Sequence, residues 1–90
     1  MTEPEYVCTV LERRALRLLT TSRSITTSML AFHLQQPPAA TVVLLKGLVA
    51  QGWAERTSAV GVTPMHWTRT EQGGEVLRTT DDEGRRVATV

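Results

Sequence analysis

The chain has 90 residues, of which 41% are hydrophobic, and its formal net charge is +1. This length predicts one domain with a modest core and excludes a catalytic domain joined to a regulatory one, while the hydrophobic content excludes a disordered chain. The single cysteine, Cys8, cannot form an internal disulfide, which favours a reducing cytoplasm. Neither an apolar run of about 18 residues nor a signal-peptide pattern is present, so the sequence predicts no membrane partner.

Three helices are expected in the first part of the chain. Residues 1–6 are predicted to be a flexible tail, and a first helix is predicted over Val7–Leu19. The second helix, read from Ile25, carries an inward stripe of Leu30, Ala31 and Leu34. After a break at residues 35–38, a third helix is predicted over Pro38–Gln51, with its own inward stripe of Thr41, Leu45, Leu48 and Val49.

The second part of the chain favours a β-hairpin followed by a short helix. Gly52 is a typical helix stop, and two short extended segments, Trp53–Thr57 and Met65–Thr70, flank a loop that contains Gly61 and Pro64. Thr70 is predicted to cap a last helix that runs through Arg78. Two adjacent glycines are expected to weaken and shorten that helix.

These residues resemble the winged helix-turn-helix domain of small transcription regulators, in the broad sense that includes MarR, PadR and ArsR proteins. The resemblance is carried by residues 26–57 and 66–78. Ala31 stands at the small position of the first motif helix, and Thr41 replaces the apolar residue that holds the second. The segments Gly52–Arg56 and Thr70–Gly73 match two further motifs. The chain departs from the pattern at Gln35, where the turn normally has a glycine.

The resemblance implies an α+β winged helix-turn-helix domain over residues 7–78, followed by a C-terminal tail over residues 79–90. It also implies binding of duplex DNA to regulate transcription, with the recognition helix, about Pro38–Gln51, in the major groove and the wing, about Trp53–Thr70, on the backbone. Helical geometry and the clustering of basic residues select the candidate DNA-binding set: Arg23, Ala39, Ala40, Val43, Lys46, Gly47, Arg56, His66 and Arg69.

The predicted outward face of the recognition helix is poor in the side chains that usually read bases. It offers methyl groups, one lysine and a glycine instead of Arg, Asn or Gln. Three interpretations stay open: contact with thymine methyls aided by DNA shape, binding with little sequence discrimination, or close packing on a protein. The alternative function is therefore a winged-helix adaptor. Three further arginines lie on the first helix, Arg13, Arg14 and Arg17, of which Arg13 and Arg17 are interpreted as solvated surface.

Three apolar residues are predicted to point outward and to form a dimer or partner interface: Leu16, Met29 and Phe32. A homodimer is expected because two half-sites multiply discrimination between DNA sequences. The competing interpretation is that the tails or the wing, for example Trp67, cover Phe32.

No catalytic or metal-binding pattern is evident. The two histidines, His33 and His66, and Cys8 are scattered, and Gly73-Gly74 lacks the residues of a phosphate loop. The sequence therefore predicts no enzyme activity, no cofactor, no metal site and no domain for a small-molecule effector.

Overall fold

The computed structural model describes residues 5–58, 61 and 63–87. In chain order its elements are α1 (Val10–Leu18), β1 (Ile25–Thr26), α2 (Thr27–Leu34), α3 (Pro38–Ala50), β2 (Ala54–Arg56), β3 (His66–Arg69) and α4 (Glu71–Thr79). The strands form one antiparallel sheet in the order β1-β3-β2. Three helices, a β-hairpin and a short last helix confirm the predicted α+β winged helix-turn-helix fold.

The first helix begins later than predicted, at Val10. Thr9 is its N-cap: the Thr9 hydroxyl accepts from the Glu12 N–H, and the Glu12 carboxylate accepts from the Thr9 N–H. This reciprocal capping box fixes the start of α1. The backbone N–H of Val7 instead donates to the Gly84 carbonyl at 2.9 Å, which places the residues before α1 against the C-terminal segment.

The second helix also begins later than predicted, because Ile25 and Thr26 form a strand. Ile25 pairs with Trp67 and Thr26 with His66, so β1 is the third strand of the sheet. The Thr26 hydroxyl accepts from the Met29 N–H at 3.1 Å and caps α2. Ile25 and Thr26 thus form a short strand, and Thr26 also caps the helix that follows. The apolar periodicity of α2 gives no sign of this strand.

The core lies between α1, α2, α3 and the sheet. Its largest fully buried apolar side chains are Leu16, Leu19, Leu30, Leu34, Leu45 and Leu48. Trp67 closes the core from the sheet side, and its indole N–H donates to the Thr27 hydroxyl at 2.8 Å. Thr41 replaces an apolar residue at no hydrogen-bonding cost, because its hydroxyl donates to the Pro37 carbonyl at 3.0 Å.

The chain ends meet beside α1 and α4. Tyr6 pairs with Arg85, and Thr80 pairs with Arg86, both as isolated antiparallel bridges. Gly84 has a φ of +82°, and a Cβ at this position would overlap the Cys8 carbonyl. Residues 1–4 and 88–90 lie outside the described residues. The predicted limits of the domain, 7–78, therefore stay a prediction.

Gln35 carries the backbone strain of the turn between α2 and α3. Its φ of 56° and ψ of 44° lie in the left-handed region, and its N–H donates back to α2. This conformation suits glycine and costs an ordinary residue about 1 kcal/mol. The chain has kept the turn geometry of the resembled motif without the glycine that usually provides it.

We expect Gln35→Gly to raise the free energy of unfolding by about 0.5–1 kcal/mol, measured by urea denaturation. Gln51→Gly is the matched control, because Gln51 also ends a helix but has a φ of −79°. That control is expected to lower stability, since glycine there adds only chain entropy to the unfolded state. Equal effects of both substitutions would contradict the strain at Gln35.

The last helix, α4, packs directly against the backbone of Trp53, and Gly73 makes this close approach possible. A Cβ on Gly73 would overlap the Trp53 carbonyl oxygen and lie 2.8 Å from the Arg69 Cγ. Thr70 supports the same contact, because its N–H donates to the Trp53 carbonyl at 3.0 Å and its hydroxyl donates to the Gly52 carbonyl at 2.6 Å. As predicted, Thr70 also caps the helix, accepting from the Gly73 N–H.

Gly73→Ala is expected to lower the free energy of unfolding by about 2 kcal/mol, because the methyl group must displace backbone. Its neighbour provides the control. A Cβ on Gly74 has its nearest neighbours at 3.7 Å and 3.8 Å, an ordinary contact, so Gly74→Ala should be neutral or stabilising through helix propensity. Thermal and urea unfolding of both variants measure the difference. Similar losses at both positions would contradict the proposed close approach.

Candidate nucleic-acid interface

The outward face of α3 is exposed as predicted. Thr41, Leu45 and Leu48 face the core, and the opposite side presents Ala39, Ala40, Val43, Lys46 and Gly47 to solvent. Val43 is 72% exposed, although it is apolar. A Cβ on Gly47 would have no neighbour within 4 Å, so the glycine leaves open space beside the last turn of the helix.

Three features fix the direction of this helix. At its beginning, Pro37 is the N-cap residue and Pro38 occupies the first turn, where a missing N–H costs nothing. Along its length, α3 packs against α2 and β2. At its end, Gly52 adopts a φ of +79° and the Trp53 N–H donates to the Leu48 carbonyl at 2.9 Å. The chain therefore passes directly from α3 into the wing.

The wing brings two predicted site residues together. Arg56 ends β2 and His66 begins β3, and the hydroxyl of Ser58 lies between them. It accepts from the Arg56 Nε at 3.3 Å and from the His66 N–H at 3.2 Å. The His66 ring is oriented by a 3.0 Å hydrogen bond between Nδ1 and the Pro64 carbonyl. Sequence reasoning missed Ser58, because a serine after a short strand gives no periodic signal.

Arg69 was predicted to belong to the DNA-binding set, but its guanidinium contacts the end of α1. Its Nη1 donates to the Leu16 carbonyl at 3.0 Å, and its Nε is buried. Leu16 lies in the last turn of α1, where carbonyls lack helical partners and the helix dipole favours a positive charge. Arg69 therefore joins the sheet to the end of α1. This is a correction of its assignment to the DNA-binding set.

The structure also corrects the prediction for Leu16. The sequence placed it on the outward side of the first helix, but it is fully buried. The reason is that α1 packs against both α2 and α4, which covers a wider arc of the helix than one apolar stripe. Met29 and Phe32, by contrast, are 52% and 76% exposed. Trp67 does not cover Phe32, because the indole is buried in the core.

Apart from Arg56 and Arg69, whose contacts are described above, the lysine and arginine residues divide into two groups. In the first group, arginines pair with acids near the chain ends: Arg13 with Asp82, Arg78 with Glu75, Arg85 with Asp81 and Glu83, and Arg86 with Glu5. The second group is exposed and has no ion pair among the described residues: Arg14, Arg17, Arg23 and Lys46. The small net charge therefore conceals a set of cations that no described acid neutralises.

Three titratable groups among the described residues have shifted pKa values: Cys8, Asp81 and Arg85. The hydrogen bond to Asp81 raises the pKa of the Arg85 guanidinium. Hydrogen bonding to the Arg85 backbone N–H, together with weaker contributions from Glu83 and the Arg85 side chain, holds the pKa of Asp81 below its usual value. Burial raises the pKa of the Cys8 thiol, and the charge of Glu12 adds to this effect. The thiol therefore stays protonated and unreactive at neutral pH.

Within the described residues, no group of three or more His, Cys, Asp or Glu side chains could hold a metal ion. No helix over the same residues is long and apolar enough to cross a membrane.

Comparison with known proteins identifies solved structures with the same architecture. No protein-family model and no curated protein matches the sequence. The structure is similar to that of RV1404 from Mycobacterium tuberculosis, with 25% identity over 80% of this chain and 50% of that one, at a TM-score of 0.70. The chain has the winged helix-turn-helix fold.

Two further similar structures are complexes. One is the MarR family protein RV2887 of Mycobacterium tuberculosis in complex with p-aminosalicylic acid, with 27% identity, 79% and 54% coverage and a TM-score of 0.62. The other is FabT of Streptococcus pneumoniae in complex with DNA, with 18% identity, 80% and 51% coverage and a TM-score of 0.69. This chain spans about half the length of these proteins. The part that this chain shares with them is the winged helix-turn-helix fold.

Proposed function

We propose that this chain binds duplex DNA and regulates transcription. The observation that carries the proposal is the exposed outward face of α3 beside the wing. FabT, which has the same fold, was crystallised in complex with DNA. In this proposal α3 enters the major groove and the wing follows the backbone. The major groove is about 12 Å wide and admits a helix. A cytoplasmic location is part of the same proposal.

The small side chains on the outward face of α3 allow the helix to approach DNA closely, but they offer few hydrogen bonds to bases. Ala39, Ala40 and Val43 present methyl groups that can contact the methyl of thymine. Gly47 leaves room for the DNA backbone or a base edge near the helix axis. Lys46 is the one basic residue on this face and can reach a phosphate or a guanine. Sequence discrimination is then expected to depend strongly on DNA shape.

Three residues outside α3 complete the proposed interface. Arg23 lies in the exposed segment between α1 and β1. Arg56 and His66 lie where the two wing strands enter the hairpin loop, and Ser58 there orients the Arg56 guanidinium and the backbone of His66. These positions fit contacts to phosphates, which fix the orientation of the protein and carry no sequence information.

Substitutions at Gly47 test whether α3 lies in the groove. Gly47→Glu is expected to weaken binding to a duplex from upstream of the gene by about tenfold or more, because it brings a negative charge to the phosphates. Gly47→Gln has similar bulk without the charge and should retain affinity within about threefold. Both variants should fold, since a Cβ at this position meets open space. Lys46→Ala is expected to weaken the free energy of DNA binding by about 1 kcal/mol. It should also make the slope of log affinity against log salt shallower by about 1.

The outcomes separate DNA binding from the alternative, a protein adaptor that uses the apolar outer face of α3. The exposed Val43 is the observation that favours the adaptor. Equal loss of a protein partner with Gly47→Glu and Gly47→Gln would support it, since bulk alone disrupts a close helix pair. If both variants bind DNA as the parent does, α3 is not the reading helix.

We propose further that the chain associates as a homodimer through the exposed apolar residues of α2. Met29 and Phe32 are solvent-exposed, and an exposed pair of large apolar side chains marks an association surface. Phe32→Ser is expected to shift sedimentation at micromolar concentration from dimer towards monomer. The melting temperature at a concentration where the parent is monomeric should change little, because Phe32 is outside the core. A monomeric parent would contradict the proposal.

A further inference from the structure

A second basic surface lies between α1 and α2. Arg14 and Arg17 of α1 form one wall of a groove, His33 of α2 forms the opposite wall, and Leu18 completes the lining. Both arginines and the histidine are exposed. No carboxylate lines this groove, and neither arginine has an ion pair among the described residues.

The grouping of these side chains is unfavourable unless an anion is bound. Arg14 and Arg17 are three residues apart on one helix face, where like charges repel. The neighbouring Arg13 shows the contrast: its guanidinium donates to the Thr80 hydroxyl and the Leu77 carbonyl, and it lies 3.6 Å from Asp82. Arg13 thus holds α1 to α4, whereas Arg14 and Arg17 do nothing comparable within the described fold.

The groove is continuous with the beginning of α3. His33 also lines a second, adjoining groove that runs past Phe32 to Pro37 and Pro38, the residues that begin α3. The ring of Phe32 meets that of His33 edge-on, with centroids 5.5 Å apart. His33 therefore links the groove of the two arginines to the residues that begin the proposed reading helix.

We propose that Arg14, Arg17 and His33 bind phosphates of the duplex beyond the segment that α3 contacts. Arg14 and Arg17 supply charge, and a ring N–H of His33 supplies a hydrogen-bond donor. The ligand is the DNA backbone, because the groove contains no additional base-reading or catalytic group. This inference rests on the proposed DNA binding and extends its contact area to α1.

The test compares two double variants of equal net charge on duplexes of two lengths. R14Q/R17Q removes the groove cations, and R78Q/R86Q removes two arginines that are paired with acids elsewhere. On the long duplex, R14Q/R17Q is expected to make the slope of log affinity against log salt shallower by about 2 and to lower affinity about 50-fold near 0.1 M salt. R78Q/R86Q should change the slope by less than about 0.5.

Shortening the duplex at its ends provides the second comparison. The parent should lose affinity as the flanking phosphates are removed, until it equals R14Q/R17Q on the short duplex. Two results would overturn the inference while leaving the DNA-binding proposal intact: equal slopes for both double variants on the long duplex, or equal loss from R14Q/R17Q at both lengths. Loss of an acidic protein partner at unchanged DNA affinity would also overturn it. A parent that binds no DNA at low salt overturns both proposals.

Discussion

The geometry of this fold depends on one backbone contact, that of Gly73 with the carbonyl of Trp53. Trp53 is the residue at which α3 gives way to the wing, and Gly73 lies in the first turn of α4. Thr70 adds hydrogen bonds to Gly52 and Trp53. The motifs Gly52–Arg56 and Thr70–Gly73, whose first residues are 18 positions apart in the sequence, thus contact each other in the fold. This contact sets where α3 ends and where the wing begins.

At the beginning of α3, the direction of the helix is set by the backbone conformation of the preceding turn. Gln35 accepts the left-handed geometry that turns the chain from α2 into α3, and Pro37 and Pro38 then begin the helix. With both ends fixed, the outward face of α3 is determined by its inward residues, Thr41 and the leucines. This is why the exposed positions on α3 could be predicted from periodicity, although the sequence alone does not identify their ligand.

The order of the helices and strands could be predicted from short-range sequence patterns. The wrong predictions concern residues whose contacts are distant in the sequence. Periodicity and turn residues predicted all four helices and the hairpin. Leu16 was misplaced because the packing of α4 on α1 is not visible in the sequence of α1. Arg69 was taken for a phosphate contact because its hydrogen bond to Leu16 spans 53 residues. Gly73 was read as a weak point of the helix, whereas its missing side chain is what lets α4 approach Trp53.

In the proposed function, charge distribution allows a chain of net charge +1 to bind a polyanion. Acids pair with Arg13, Arg78, Arg85 and Arg86, and two of these pairs join distant segments: Arg13 with Asp82, and Arg86 with Glu5. The field that a duplex meets is therefore set by the unpaired cations, which lie on α1, before β1 and on α3. Because phosphate affinity depends on local charge rather than on the total, pairing at one end of the molecule leaves the proposed DNA face basic.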